Sequence, residues 1–407
     1  MTSAPTSPAE VTPARTPAKR LPSLTSLRAF GALFVYFNHS GYILLDQNPG
    51  WYNHYSFYVY NVGGMSLSFF FVLSGFVLTW GSRATDTARG FWRGRFFKIF
   101  PNHLLVFFIA FGMLLASGEG IKVAEAVANL FLVQSWFTKQ SYFVYPVNGV
   151  TWSLSVEMLC YLFFPLLLRV VRRVRVERLW LWIGVFAVTV MAVIPLFAAT
   201  FLPKSPESPF EAGVASWAQH WFVFFFPVTR SAEFIIGMLL ARVISEGRWP
   251  KVLGLREALG VTVVFYVIGL YVPKLLSLVA VFTIPVIVII GATATSDLAD
   301  RMTFLRTRAM LWFGDISFAF YVTHVTALFA VHAAFAHQWF GYGYYTPPKW
   351  STFDAILYMV AALPMCILIA GALYTFVERP MMNRFARPKP RRRPGVTDPA
   401  APLGVEV

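Results

Sequence analysis

Ten runs of about twenty consecutive apolar residues punctuate this 407-residue chain, near 24–45, 62–80, 97–117, 151–169, 179–201, 218–243, 257–273, 275–291, 311–336 and 354–377. Each is as long as the roughly 20 residues that a helix needs to cross a bilayer core. Only Pro273 and Lys274 divide the seventh run from the eighth. Hydrophobic residues make up 57% of the chain and charged ones 13%, about half the charged share of an ordinary soluble protein. These features exclude a soluble multidomain chain and predict an all-α polytopic membrane protein with about ten transmembrane helices. No long hydrophilic segment separates the runs, so the chemistry must take place among the helices.

The distribution of charge orients the bundle. With the N-terminal tail placed in the cytoplasm, that tail, the even-numbered loops and the C-terminal tail hold 27 of the 34 Lys and Arg residues. The odd-numbered loops hold five: Lys122, Lys139, Lys204, Lys274 and Lys349. Cationic loops stay on the cytoplasmic side, so both termini are expected there, in a plasma membrane. The same pattern explains the net charge of +15 through topology and anionic lipid, without nucleic acid. Residues 1–20 lack an apolar signal core and read as a disordered tail. Residues 387–407 read as a basic tail, leaving 21–386 as one membrane domain. Cys160 and Cys366 both lie in apolar runs, which predicts neither a disulfide framework nor a cysteine metal site. The outer connection 118–150 contains an amphipathic stretch, Ala124–Trp136, that is expected to lie at the interface.

Ionisable residues inside apolar runs are costly and mark functional positions. The first run carries Arg28 and His39. Eleven residues at about 100° each complete three turns plus roughly 20°, so the two share one helix face, about 16 Å apart along it. Glu157, Arg230, Glu233 and His324 are the other intramembrane candidates, with Asp315 near the start of the ninth run. Counting residues from the span ends puts His39, Glu157 and His324 at a similar depth in the outer part of the bilayer. A base, a carboxylate and a second imidazole at one level suit general-base catalysis, with the carboxylate orienting the ring. Arg230 and Glu233, three apart, can pair on one helix face and serve equally well as helix–helix glue. His332 and His337 lack a metal-binding pattern, and no metal site is expected. Ser74, in FVLSGF, lacks the setting of a nucleophile elbow. Arg93, Arg95 and Lys98 in GFWRGRFFKIFP fit either topology anchors or a phosphate-binding patch.

These segments resemble the integral-membrane acyltransferase family 3, whose members O-acylate bacterial glycans and natural products. The resemblance covers about residues 21–385 and is most specific in SLTSLRAFGALFVYFNH, with Arg28 and His39 separated by ten residues. MSLSFFFVLSGFVL, RFFKIFP, TWSLSVEMLCYLFFP, RSAEFIIGM, FGDISFAFYVTH and VERP follow in the family's order. Three positions depart from the family pattern: Lys98 and Gly94 stand where Arg is usual, and His103 where an aromatic is usual. No extracellular hydrolase-like domain, such as some members of that family carry, is expected beside the membrane module.

The resemblance implies an acyl-CoA co-substrate held from the cytoplasmic side and no bound cofactor. Arg95, Lys98 and Arg93 would meet its phosphates, and Arg28 the phosphate or thioester end. His39 would act as general base or as transient acyl carrier, with Glu157 orienting it. Ser153 or Tyr321 would stabilise the oxyanion. Trp152, Arg230, Glu233 and His324 fall in the same blocks as supporting residues. The acceptor implied is a hydroxyl of a surface or lipid-linked sugar, or of a macrolide-type natural product. A secondary transporter is the competing reading, because it too would have an even span count and scattered intramembrane charges. Against it, Gly/Pro breaks do not recur in the two halves of the chain.

Overall fold

The computed structural model describes residues 19–45, 49–118, 120–144, 146–210, 215–301, 303–336 and 351–386. Of the two expected tails only Lys19 and Arg20 lie among them, and His337 and the side chain of His332 do not. The chain forms α1 (Pro22–Leu45), α2 (Pro49–Gly81), α3 (Ala88–Ala116), a short α4 (Val123–Leu130), α5 (Trp152–Arg173), α6 (Val176–Phe201), α7 (Trp217–Ser245), α8 (Leu255–Tyr271), α9 (Ala280–Leu298), α10 (Arg308–Ala336) and α11 (Thr352–Ala386). Extended pairing among the described residues is limited to a single bridge between Glu207 and Ser216. Eight of the helices (α2, α3, α5, α6, α7, α9, α10 and α11) are long and apolar enough to cross a membrane. The other two expected spans are helical as well, α1 with 24 residues and α8 with 17. The protein is an all-α polytopic membrane protein.

Helices α1, α2, α7 and α10 form the centre, with α1 against α2 and α10, and α2 against α7. Three glycines allow these contacts. A Cβ on Gly75 of α2 would lie 2.0 Å from the carbonyl oxygen of Phe234 in α7. A Cβ on Gly237 of α7 would lie 1.9 Å from that of Val72 in α2. Between α10 and α1, a Cβ on Gly314 would fall 2.1 Å from the carbonyl oxygen of Thr25. Small residues that let backbones touch are a common basis of helix association in membranes, where the hydrophobic effect does not drive helices together.

The start of α1 is capped by another helix. Buried Asp297, near the end of α9, accepts the Ser23 amide at 2.8 Å and its hydroxyl at 2.7 Å. Ser26 donates to the Leu305 carbonyl at 2.5 Å, and Lys19 pairs with Asp300. A carboxylate facing helix N–H groups is favourable both as a hydrogen bond and against the dipole. These bonds fix how far α1 is inserted, and so the level of Arg28 and His39.

Helix α7 breaks at Phe226, which is extended (φ −68°, ψ 126°) ahead of Pro227. The Thr229 hydroxyl takes up the carbonyls of Phe222 at 2.7 Å and Phe226 at 2.9 Å, as a helix broken within a membrane requires. The amphipathic stretch Ala124–Trp136 becomes α4 and a following turn, Gln134–Trp136. Its polar side faces the protein. Asn129 donates to the Asn148 carbonyl at 3.2 Å and the Thr151 hydroxyl at 3.0 Å, and Asn148 reaches the Val322 carbonyl at 3.0 Å. Val123, Val127 and Phe131 are exposed on the other side.

The crossings make a direct stability prediction. Gly237→Ala forces a methyl group into a backbone carbonyl and should destabilise the folded protein by about 2 kcal/mol or more. Gly94→Ala, with nothing within 4 Å of the added carbon, should leave it unchanged. Thermal unfolding of the detergent-solubilised variants, followed by size-exclusion chromatography, measures both.

Candidate active site

A cavity of about 120 Å³ lies between α1, α2, α3, α5 and α10. Polar residues occupy one part of its wall: Arg28 from α1, Ser74 from α2, Arg95 and Lys98 from α3, and Glu157 and Tyr161 from α5. Apolar side chains, including Leu67, Phe71, Leu73 and Phe318, form much of the remainder, and Phe70, Ser153 and Tyr321 also line it. Three cations and a carboxylate thus share a small, largely apolar chamber.

Their partners distinguish the cations. The Lys98 ammonium is paired with Glu378 of α11, whose other oxygen accepts from Asn102 Nδ2 at 2.6 Å. Glu378 is buried, and Lys98 is partly exposed, with 21% of its side chain accessible. Arg28 and Arg95 are in no ion pair among the described residues. Arg95 instead lies 5.9 Å from both the Phe91 and the Tyr161 ring centroids, within cation–π range. The Glu157 carboxylate accepts from the Ser74 hydroxyl at 3.1 Å and from the Tyr161 hydroxyl at 2.9 Å. The two free guanidiniums each keep a planar fork of donors suited to an anionic oxygen pair.

His39 does not line this cavity. Its Nδ1 lies 2.8 Å from Nε2 of His324 on α10, with the rings nearly parallel at 9°. His324 Nδ1 lies 2.8 Å from the Tyr321 carbonyl. A carbonyl can only accept, so His324 carries its proton on Nδ1 and presents a lone pair at Nε2. His39 must then donate from Nδ1, which leaves its Nε2 as a free base with both rings neutral. A tautomer set by a partner's hydrogen bond is how imidazole bases are prepared for proton transfer.

Tyr321 joins the two regions. Its hydroxyl donates to the Val150 carbonyl at 2.8 Å and lies 2.7 Å from the Ser153 hydroxyl. Its ring centroid is 6.0 Å from that of His324.

Residues 21–375 match a family described as an acyltransferase domain. The chain belongs to the integral-membrane acyltransferase family 3. It is 34% identical over 393 residues to Acyltransferase MdmB of Streptomyces mycarofaciens, covering 93% of this chain and 95% of that protein. It is also 24% identical over 403 residues to the Putative peptidoglycan O-acetyltransferase YrhL of Bacillus subtilis strain 168, covering 91% of this chain and 56% of that protein. No solved structure matches it. The protein is a multi-pass membrane acyltransferase, and the transporter reading falls away.

The positions implied by the family fall into three groups. Arg28, Arg95, Lys98, Glu157, Ser153 and Tyr321 border the cavity. His39 and His324 form the pair beyond Tyr321. Arg93, Trp152, Arg230 and Glu233 lie off the cavity wall. Arg93 is exposed, because two residues from Arg95 is about 200° around the helix. Trp152 packs on Phe224 and Phe225 with ring centroids 5.0 and 4.7 Å away. Arg230 and Glu233 pair at 3.2 Å, both 1% exposed, with the guanidinium held near the Phe71 and Phe224 rings. That pair lies between α2 and α7, as helix glue would.

Glu157 does not orient His39 in the structure; His324 does. The chain entering α5 and helix α10 run in opposite directions, with Asn148 bonded to Val322 and Ser153 to Tyr321. From that level Glu157 is one turn along α5 in one direction, and His324 almost one turn along α10 in the other. The two are therefore separated by about 10 Å of rise, a gap within the error of a depth estimate. Sequence reasoning gave no role to Tyr161 or Glu378, although they stand in the blocks TWSLSVEMLCYLFFP and VERP. The bond of Tyr161 to Glu157 had a readable signal in their i+4 spacing. The pairing of Glu378 with Lys98 had none, since the two lie 280 residues apart. His103, the aromatic-position departure, has a tether of its own: Nε2 donates to the Leu130 carbonyl at 3.1 Å.

The Lys98–Glu378 pair is testable. Lys98→Ala leaves a buried carboxylate without its cation and should lower stability by about 3 kcal/mol. Lys98→Met combined with Glu378→Gln should recover much of the loss, as read by thermal unfolding.

Proposed function

We propose that the protein is an O-acyltransferase that moves an acetyl or other short acyl group from acyl-CoA to a hydroxyl of a carbohydrate-containing acceptor. The carrying observation is the hydrogen-bond chain from the Tyr321 carbonyl through His324 to His39, which prepares one free imidazole lone pair. In this reading His39 Nε2 removes the acceptor O–H proton as the oxygen attacks the thioester carbon. The C–S bond then breaks, and the departing thiolate takes the proton from the imidazolium to leave CoA as a thiol. His324 holds the imidazolium formed at His39 through the lone pair on its Nε2. The alternative route, with an acyl group held briefly on His39, uses the same nitrogen.

Arg28 and Arg95 are the natural ligands of the donor's phosphates, with Lys98 adding charge beside them. The excess of cations in the even loops supports a cytoplasmic donor side and a plasma-membrane location. The similarity to the Putative peptidoglycan O-acetyltransferase YrhL of Bacillus subtilis supports a glycan hydroxyl as acceptor. A glycosylated small molecule fits the same chemistry.

His39→Ala should reduce transfer by about 10²–10⁴-fold while membrane insertion stays normal. His324→Leu removes the acceptor for the His39 Nδ1 proton and should cost about 10–100-fold in kcat. His324→Gln, whose amide oxygen can accept that proton, should retain more activity than His324→Leu. Full activity in His39→Ala would overturn the reading. Mass spectrometry of glycolipids and secreted metabolites from a deletion strain, searched for a missing acyl mass, identifies the acceptor.

A further inference from the structure

Neither imidazole of the histidine pair lines the cavity. Two of the aromatic rings that do line it, Phe70 of α2 and Tyr321 of α10, have centroids 6.1 Å apart with planes inclined at 59°. Beyond Tyr321 lie His324 and then His39. The two rings are held very differently. The Tyr321 hydroxyl is engaged by the Val150 carbonyl and by Ser153, and its ring is buried. Phe70 has no polar tether, is only half-buried and faces the cavity. The tip of its ring packs on Gly31 of α1, where an added Cβ would lie 3.0 Å from the ring's Cζ and 3.2 Å from its Cε2.

Gly31 lies between the two functional ends of α1, three residues after Arg28 and eight before His39. Between Arg28 and His39 the bare backbone of Gly31 is packed by the Phe70 ring, with Phe69 Cδ1 also within 3.3 Å of an added Cβ. With Tyr321 tethered, the half-buried Phe70 is the ring whose displacement would open space along α1.

We infer that Phe70 over Gly31 is the acyl-selectivity filter of this enzyme, a slot as thick as one aromatic ring that passes straight-chain acyl thioesters and excludes α-branched ones. This rests on the acyl-CoA reading above. A methylene chain matches the slot vacated by the ring, with the Gly31 backbone as floor and Tyr321 as fixed wall. A branch at the α-carbon puts a methyl group against that wall beside the reacting carbonyl, where no side chain is free to yield.

The test supplies inside-out vesicles from cells expressing the protein with acetyl-, propionyl-, butyryl-, isobutyryl- and pivaloyl-CoA, and follows release of free CoA thiol. Donor binding is read separately, as thermal stabilisation of the purified protein by CoA. The wild type should turn over the three straight-chain donors and use isobutyryl-CoA at least about tenfold more slowly, the discrimination expected for one misplaced methyl group. Phe70→Ala and the milder Phe70→Leu should raise the isobutyryl-to-acetyl ratio by about tenfold. Gly31→Val should depress acetyl turnover strongly while stabilisation by CoA persists, with Gly31→Ala falling between it and the wild type. Equal use of branched and straight donors by the wild type, or an unchanged ratio in both Phe70 variants, overturns the filter. Absence of both CoA stabilisation and thiol release in the wild type overturns the acyl-CoA reading itself, and the filter with it.

Discussion

The contact of Thr25 with Gly314, backbone against backbone, is the constraint on which this site depends. Helices α1 and α10 approach that closely only because Gly314 carries no side chain. The Asp297 cap on Ser23 then sets how far α1 is inserted. Further along the same two helices, His39 and His324 come within 2.8 Å. A hydrogen bond between two imidazoles tolerates little displacement, so the closeness of the helices at one end is what makes it possible at the other. The glycine crossings between α2 and α7 do the same for the opposite wall, fixing the helix that carries Phe70, Phe71 and Ser74.

The interior polar groups follow one rule. In a bundle surrounded by lipid, an ionised group without a partner is expensive, and pairing is the usual remedy. Glu378 pairs with Lys98, Glu233 with Arg230, and Glu157 is bonded by two hydroxyls. Against that background two guanidiniums in one cavity stand out, because neither has an ion pair among the described residues; the proposed donor would supply their partner. The neutral histidine pair is the other exception. It avoids the cost of charge altogether by using a backbone carbonyl to decide which nitrogen bears each proton.

Much of the architecture was readable because lipid simplifies the folding problem. A backbone with no water to bond must form helices, so ten apolar runs announced ten helices. The spacing of Arg28 and His39 announced a shared face. Depth was less readable. Residue counts from the span ends group His39, Glu157 and His324 at one level, whereas only the imidazoles meet and Glu157 belongs to the cavity on the other side of Tyr321. Helix ends are legible in sequence to about one turn, and one turn is the difference between contact and separation.

By itself the sequence determined the all-α class, the number and order of the apolar helices, the basic side of the bundle and the two ends of the α1 stripe. Each of these follows from local composition and helical period, which need no partner to be read. Tertiary structure alone decided that His324 rather than Glu157 sets the His39 tautomer, that Glu378 neutralises Lys98, and that Phe70 packs on Gly31 between Arg28 and His39. Those outcomes depend on contacts between helices distant in the chain, and such contacts are settled by close packing rather than by any pattern within one helix.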